Sequence, residues 1–241
     1  MKAGNPKEQQ VQSRSLRAHI RRSFLAATIV AMSLVACEDP ITPPPAEDPP
    51  IDSAEALIEA LARAYRTRDV DLFASLLAHE PTANADFLFI LSEPTDLGDT
   101  QWGYDEEVRI HQRMFHPETA QPPVSPDLWV QSISIALTKQ ESFAVREDLY
   151  SVNHGEDGKL DTDRWHVMDA RYSTYVLWDL AGTDYKVEGE ANFVVIEDLA
   201  KPAGSDGKFL ILIWEDISVP AAKAAALAKD ETWSSLKLLY R

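Results

Sequence analysis

The chain has one cysteine, Cys37, among 241 residues. A single cysteine cannot form an internal disulfide, which excludes a disulfide-stabilised scaffold. The apolar stretch from Phe24 to Val35 has about a dozen residues, whereas a membrane-crossing helix needs roughly 20. A glycine-rich phosphate loop, a Gly-x-Ser-x-Gly turn and a Cys/His nucleophile pair are also missing. The sequence therefore offers no complete catalytic motif.

Basic residues are scarce. The chain has 23 Lys and Arg against 39 Asp and Glu, a formal net charge of -16. Removal of residues 1–36 would take away six of the basic residues and one of the acidic ones, leaving 17 basic against 38 acidic. Such an acidic body is repelled by nucleic acid and by anionic lipid headgroups. We therefore expect no nucleic-acid partner and no direct docking of the protein surface on a membrane.

The N-terminal segment has the three parts of an export signal, namely a basic approach, an apolar stretch and small residues before a cleavage point. Four arginines form the basic approach: Arg14, Arg17, Arg21 and Arg22. The sequence Leu34-Val35-Ala36-Cys37 resembles the lipobox of bacterial lipoproteins. The resemblance implies that Cys37 is acylated and becomes the mature N-terminus, so that lipid anchors the chain to the cell envelope. An ordinary signal peptide or a membrane stub with a chance cysteine is the alternative.

The export route stays open between two systems. Arg21-Arg22-Ser23-Phe24-Leu25 resembles the twin-arginine motif, but Ile20 and Ala26 replace the residues usual at its two ends. The general secretory route fits the remaining features equally well. The resemblance to lipoproteins implies a body outside the cytoplasm, in the periplasm or at the cell surface, and leaves open which membrane holds the anchor.

Composition divides the chain into three parts. Residues 1–36 are the predicted lipoprotein signal peptide, and residues 37–51 form a linker rich in proline and acidic residues. Proline-rich segments of this kind favour extended polyproline II conformation, which suits a spacer. Residues 52–241 have a suitable length for one domain with its own core.

Within this domain, predicted helices precede predicted strands. Asp52-Ser53-Ala54-Glu55 has the form of a capping box and opens a first helix, and Asp69 caps a second, shorter one. A short strand at 86–91 and a third helix at 104–115 follow. Alternating apolar residues joined by short polar turns predict an antiparallel meander. Its strands are expected at 128–138, 142–150, 165–179, 185–198 and 209–218. Helices followed by strands indicate the α+β class.

The paired helices resemble the start of the nuclear-transport-factor-2-like superfamily, through Ala62 to Tyr65 in the first helix and Asp69 to Leu77 in the second. The region from Trp102 to Phe115, together with Thr232 to Lys237, is similar to bacterial lipoproteins of this fold whose role is not established. The resemblance implies a curved antiparallel sheet that wraps a helix into a cone with an internal cavity. Isomerases, dehydratases and binding modules all use this fold, so it does not define a function.

Enzymes of this superfamily have an acid/base pair that projects into the cone, and the resemblance implies that such a pair is to be looked for here. His111 is the candidate here, because it lies on the apolar stripe of the third helix and could meet Asp216 or Tyr172. A histidine with a pKa near the working pH would serve as a general base. The alternative is a core histidine satisfied by one hydrogen bond. Glu106 and Glu107 are explained by the positive end of the helix dipole.

No metal or cofactor site is expected. His111 and His116 are five positions apart, which does not place them on one helical face, and His116 precedes a proline. Asp157 to Asp163 has spaced carboxylates but lacks the distal glutamate of a calcium loop. We interpret that segment as a solvated turn.

Aromatic side chains are the remaining signal. Trp129, Tyr172 and Trp214 are candidates to line a pocket for a small hydrophobic ligand, although most aromatic residues of the chain are expected in the core. The sequence therefore predicts a lipid-anchored, non-catalytic binding or accessory module. A small cone-cavity enzyme that uses His111 is the alternative, and assembly into a homodimer through the outer face of the sheet is a third interpretation.

Overall fold

The computed structural model describes residues 48–241 except 80–82, 84, 93, 95–97, 147–163, 181–182 and 218–232. The predicted signal peptide, Cys37, most of the linker and the acidic segment from Asp157 to Asp163 lie outside the described residues. In the part of the chain that the structure describes, no helix combines the length and the apolar character needed to cross a bilayer.

The described residues form four α-helices whose ends follow ordinary capping chemistry. They are α1 (Ala54–Thr67), α2 (Val70–Ser75), α3 (Tyr104–Phe115) and α4 (Trp233–Leu238). Ser53, rather than Asp52, is the N-cap of α1, because its hydroxyl accepts the backbone N–H of Ala56 at 3.1 Å. The predicted cap at Asp69 is confirmed by its hydrogen bond from the N–H of Leu72 at 2.8 Å.

Seven strands form one curled sheet that does not close. Its order is β2-β1-β7-β6-β5-β3, and β4 pairs with β5 outside this path. Every pairing is antiparallel except that of β1 with β7, which is parallel. The strands are β1 (Leu88–Ile90), β2 (Gln101–Gly103), β3 (Val130–Lys139), β4 (Ala144–Val145), β5 (Trp165–Leu180), β6 (Thr183–Asp198) and β7 (Phe209–Ile217).

The α+β prediction is confirmed, with differences in detail. The sequence pattern did not identify β2 as a strand or α4 as a helix, since each has only a few residues. The predicted antiparallel meander holds for the long strands, since β3 pairs with β5, β5 with β6 and β6 with β7. The short strand β1 instead pairs in parallel with β7, more than a hundred residues later in the chain. Of the strand expected at 142–150, residues 142–146 are described, and within them only β4 is a strand.

The sheet has apolar clusters on both faces. The larger core packs α1, α2 and α3 against the inner face, where Tyr172, Phe193 and Trp214 are at most 3 % exposed. Side chains alternate between the faces of a strand, so Trp165 and Val167 of β5 lie on the outer face. There they pack with residues that include Ala78 and Ala83, which follow α2. The helices thus enclose the inner face and leave the side of α1 next to β3 accessible.

Candidate functional site

A cluster of polar side chains lies inside the domain where α1, α3, α4 and β7 meet. We call it the buried cluster, and none of its six members exposes more than 5 % of its surface. Polar groups at such depth need hydrogen-bond partners, because burial without them is unfavourable. The members are Tyr65, Glu107, His111, Asp216, Ser234 and Lys237.

His111 has a partner at each ring nitrogen. Its Nδ1 lies 2.9 Å from the carbonyl oxygen of Glu107, which can only accept, so Nδ1 carries the proton. Its Nε2 therefore accepts the hydroxyl proton of Tyr65. Burial, followed by the positive charge of Lys237, holds the pKa of His111 well below its ordinary value. The imidazole is neutral, closed to solvent and stacked on the ring of Phe73, with ring centroids 3.7 Å apart.

Glu107 and Lys237 form an ion pair with no exposed surface. One carboxylate oxygen of Glu107 binds the ammonium of Lys237, and the other accepts the indole N–H of Trp102 at 2.6 Å. The ammonium also lies over two aromatic rings, 3.6 Å from the centroid of Phe89 and 4.0 Å from that of Trp214. Burial lowers the pKa of Lys237 to about 8, in spite of the charges of Glu107 and Asp216 that raise it.

Asp216 forms hydrogen bonds with the first turn of α4. Its carboxylate accepts the backbone N–H of Ser234 at 2.8 Å and the hydroxyl of the same residue. The first N–H groups of a helix have no partner within the helix, and a carboxylate there also suits the helix dipole. Burial raises the pKa of Asp216, and the hydrogen bonds from Ser234 oppose that effect.

The structure separates the predicted site residues into different surroundings. His111 and Asp216 both belong to the buried cluster, but His111 bonds to Tyr65 and Glu107, and Asp216 bonds to Ser234. Trp214 is fully buried in the inner core. Trp129 is half-buried, and its indole N–H donates to the carbonyl of Val124 at 3.0 Å. Within the described ranges, no group of three or more metal-ligating side chains comes together.

Tyr172 lies elsewhere, in a groove between α1 and β3 that we call the α1–β3 groove. The groove has a volume of about 510 Å³. Ile58 and Ala62 of α1 and Ile135 of β3 form part of its apolar lining, and Glu59 adds a carboxylate. An ion pair of 3.0 Å between Glu55 and Lys139 crosses from α1 to β3.

The hydroxyl of Tyr172 stays protonated in this setting. Burial, with the carboxylates of Glu55 and Glu59, raises the pKa of Tyr172 to about 12. Its ring packs against Phe143 and Phe193, with centroids 6.1 Å and 5.6 Å away. Among the described residues the hydroxyl has no hydrogen-bond partner. The groove therefore has an apolar lining that is itself largely buried, with Ile58, Ile135 and Tyr172 each 3% exposed, and charged side chains that include Glu59 and Arg66.

Two members of the buried cluster, Glu107 and Lys237, were not predicted as functional, yet the sequence carries a signal for both. Glu107 shares a helical stripe with Ile110, His111 and Met114, at spacings of three, four and seven. Lys237 lies in a stripe of the same spacing, together with Trp233, Leu236 and Tyr240. A charged residue in an apolar stripe points to a buried charge that requires a partner.

Comparisons with known proteins bear on the fold alone. Neither a protein-family model nor a curated protein matches this chain. Solved structures do match, among them a protein from Shewanella oneidensis described as nuclear-transport-factor-2-like and of unknown function. It is 14% identical, the match covers 67% of this chain and 93% of that one, and the TM-score is 0.34.

Two further structures have different descriptions. A candidate dehydratase of the nuclear-transport-factor-2-like family from Streptomyces avermitilis is 12% identical, with coverage of 68% and 93% and a TM-score of 0.41. The β subunit of benzoate 1,2-dioxygenase from Burkholderia mallei is 11% identical, with coverage of 76% and 98% and a TM-score of 0.41. At such identities a match speaks only for the fold. The predicted fold class, with helices packed in a curled sheet, is shown by the helices and strands of this chain itself.

We predict that Lys237→Met destabilises the chain by about 3–5 kcal/mol, because it leaves the carboxylate of Glu107 buried without its counter-charge. The double variant Lys237→Met with Glu107→Gln should recover most of that loss. Urea unfolding of the two single variants and the double variant measures the coupling. Equal losses in the Lys237→Met and double variants would contradict the assignment.

A second prediction concerns acid. The pKa of His111 is lowered on folding, so below pH 6.5, its ordinary value, the unfolded chain binds a proton that the folded chain does not. The free energy of unfolding should therefore decrease as the pH falls from 6.5, by up to about 1.4 kcal/mol per pH unit from this group. His111→Gln should remove this part of the slope in denaturant titrations between pH 7 and 5. An unchanged slope in the variant would show that other groups cause the acid sensitivity.

Proposed function

We propose that the chain is a lipid-anchored binding module of a bacterial cell envelope and that the α1–β3 groove is its ligand site. Cys37 would carry the acyl groups, and the proline-rich linker would hold the domain away from the membrane. The acidic composition supports attachment through lipid rather than through the protein surface, because the domain would be repelled by anionic headgroups.

The groove supports a small amphipathic ligand. Its volume of about 510 Å³ falls within the range of about 300–1,000 Å³ that small-molecule sites occupy. The apolar body of such a ligand would lie on Ile58, Ala62 and Ile135, and its hydroxyl or amine would bond to Tyr172. The groove itself, lined by Tyr172 whose hydroxyl has no hydrogen-bond partner among the described residues, is the single observation that carries the proposal.

The surroundings of His111 favour binding over acid/base catalysis. A general base needs access to a substrate proton, whereas both nitrogens of His111 are engaged by protein groups and its surface is closed to solvent. Neither Asp216 nor Tyr172 is hydrogen-bonded to it. These contacts support a binding role over the isomerase-like or dehydratase-like alternative.

A dye-binding experiment tests the groove. We expect the neutral apolar dye phenylnaphthylamine to gain fluorescence with the native chain. Ala62→Trp, which fills the groove, should weaken binding at least about tenfold. Tyr172→Phe should weaken binding about 2- to 10-fold, the usual worth of one hydrogen bond.

The matched control is Leu177→Trp, which places the same indole at an exposed position of β5, where Leu177 is 42% exposed. This variant should bind the dye as the native chain does. Full affinity of Ala62→Trp would exclude the groove as the site.

A separate experiment tests the anchor. When the full chain is expressed in a bacterium, the mature protein should be found with the membrane and should carry acyl groups on Cys37 by mass spectrometry. Cys37→Ser should lack the acyl groups, and Ser33→Ala, just outside the lipobox, should retain them. A native mature chain with an unmodified thiol would overturn the anchoring proposal and leave the groove untouched.

A further inference from the structure

The groups nearest to the ammonium of Lys237 belong to elements other than its own helix, and the ring of Trp233 in that helix lies farther away, at 5.4 Å. Glu107 comes from α3, Phe89 from β1 and Trp214 from β7. We call these three residues the ammonium box. The carboxylate of Glu107 supplies the counter-charge, and the two rings lie 3.6 Å and 4.0 Å from Nζ.

The box is held in shape by contacts that do not involve Lys237. The indole N–H of Trp102 fixes one oxygen of Glu107 at 2.6 Å, and its ring stacks on Phe89 with centroids 4.8 Å apart. Trp214 packs against Phe89 at 5.7 Å and against Phe193 at 5.0 Å. A carboxylate beside aromatic faces is the arrangement by which proteins recognise organic ammonium groups.

The helix that supplies the ammonium depends on these contacts for its place. α4 has six residues, and isolated helices shorter than about 12–15 residues are not stable in water. Besides Lys237, its polar contacts in the described residues include those of Ser234 with Asp216 and with the backbone N–H of Ser92, and the neighbouring Tyr240 donates to the carbonyl of Leu128 at 2.9 Å. Trp233 and Leu236 add buried apolar contacts. A competitor for the box would therefore remove a main attachment of α4.

We propose that the ammonium box is a binding site for a primary ammonium group. In the folded chain Lys237 of α4 occupies this site, and a competing amine opens it by displacing α4. The competitor is a free alkylamine or a lysine side chain of another molecule, since both present the same group. This site is distinct from the α1–β3 groove, and the inference does not rest on the groove binding a ligand.

Chemical complementation tests the box. Lys237→Ala lacks the three methylenes and the nitrogen that propylammonium supplies. We expect propylammonium at ten times its dissociation constant to raise the Tm of Lys237→Ala by about 3–6 °C. Propanol, which has the same shape without the charge, should not do so.

Two variants control this measurement. Lys139→Ala, which removes a partly exposed lysine, should show no shift with propylammonium. Glu107→Gln combined with Lys237→Ala should also show none, because it removes the counter-charge. If Lys237→Ala does not fold alone, the measurement becomes its refolding with propylammonium against propanol. An equal effect of the two compounds, or no effect of either, would overturn the ammonium site.

Displacement is tested on the native full chain. Hydrogen exchange at the amides of Trp233–Leu238 should accelerate as propylammonium, or a short peptide with one lysine, is added. The same peptide with norleucine in place of lysine should have no effect. Faster exchange with the lysine peptide but not with propylammonium would identify a lysine of another macromolecule as the competitor. Faster exchange with propylammonium but not with the peptide would identify a free alkylamine. Unchanged exchange at amine concentrations that restore Lys237→Ala would overturn displacement.

Discussion

The ion pair of Lys237 with Glu107 fixes how the helices sit in the sheet. Both groups have no exposed surface, and a buried charge that loses its partner is strongly unfavourable. The pair joins positions 130 residues apart, so it constrains α4 against α3 in a way that apolar packing alone would not. The positive charge of Lys237 also acts on His111 and Asp216. It lowers the pKa of His111 and opposes the rise that burial causes in the pKa of Asp216.

This constraint explains why a histidine in a favourable place for catalysis lies in a closed environment. Here α4 brings Lys237 close enough to lower the pKa of His111, and the aromatic rings of Tyr65, Trp214 and Trp233 pack together. The polar groups that would serve acid/base chemistry satisfy one another instead. The fold alone therefore does not assign an acid/base activity to this chain.

Local sequence signals identified most of the fold. The start of α1 within one residue, the cap at Asp69 and the long hairpin of β5 and β6 follow from short-range chemistry, that is, side-chain caps and alternation around a polar turn. The parallel contact of β1 with β7 was not predictable, because no local pattern specifies a partner so distant in sequence. The residues of the buried cluster divide in the same way, into those that a local pattern indicates and those that depend on a partner distant in sequence. His111 was recognised on its stripe. The stripes of Glu107 and Lys237 indicate buried charges, but no local pattern shows that these two residues, in different helices, are each other's partner.

The open groove and the closed cluster both depend on α1. Its buried stripe ends in Tyr65, which bonds to His111, and its adjacent side carries Ile58, Ala62 and Glu59 along the groove. Ala62 lines the groove beside Tyr172, which is itself only 3% exposed, whereas on the other side of α1 the rings of Tyr65, Trp214 and Trp233 pack together. One helix thus borders both the buried cluster, whose six polar side chains bond to one another or to the backbone, and the groove, where the hydroxyl of Tyr172 has no hydrogen-bond partner among the described residues. That contrast is why the ligand proposal concerns the groove and not the cluster.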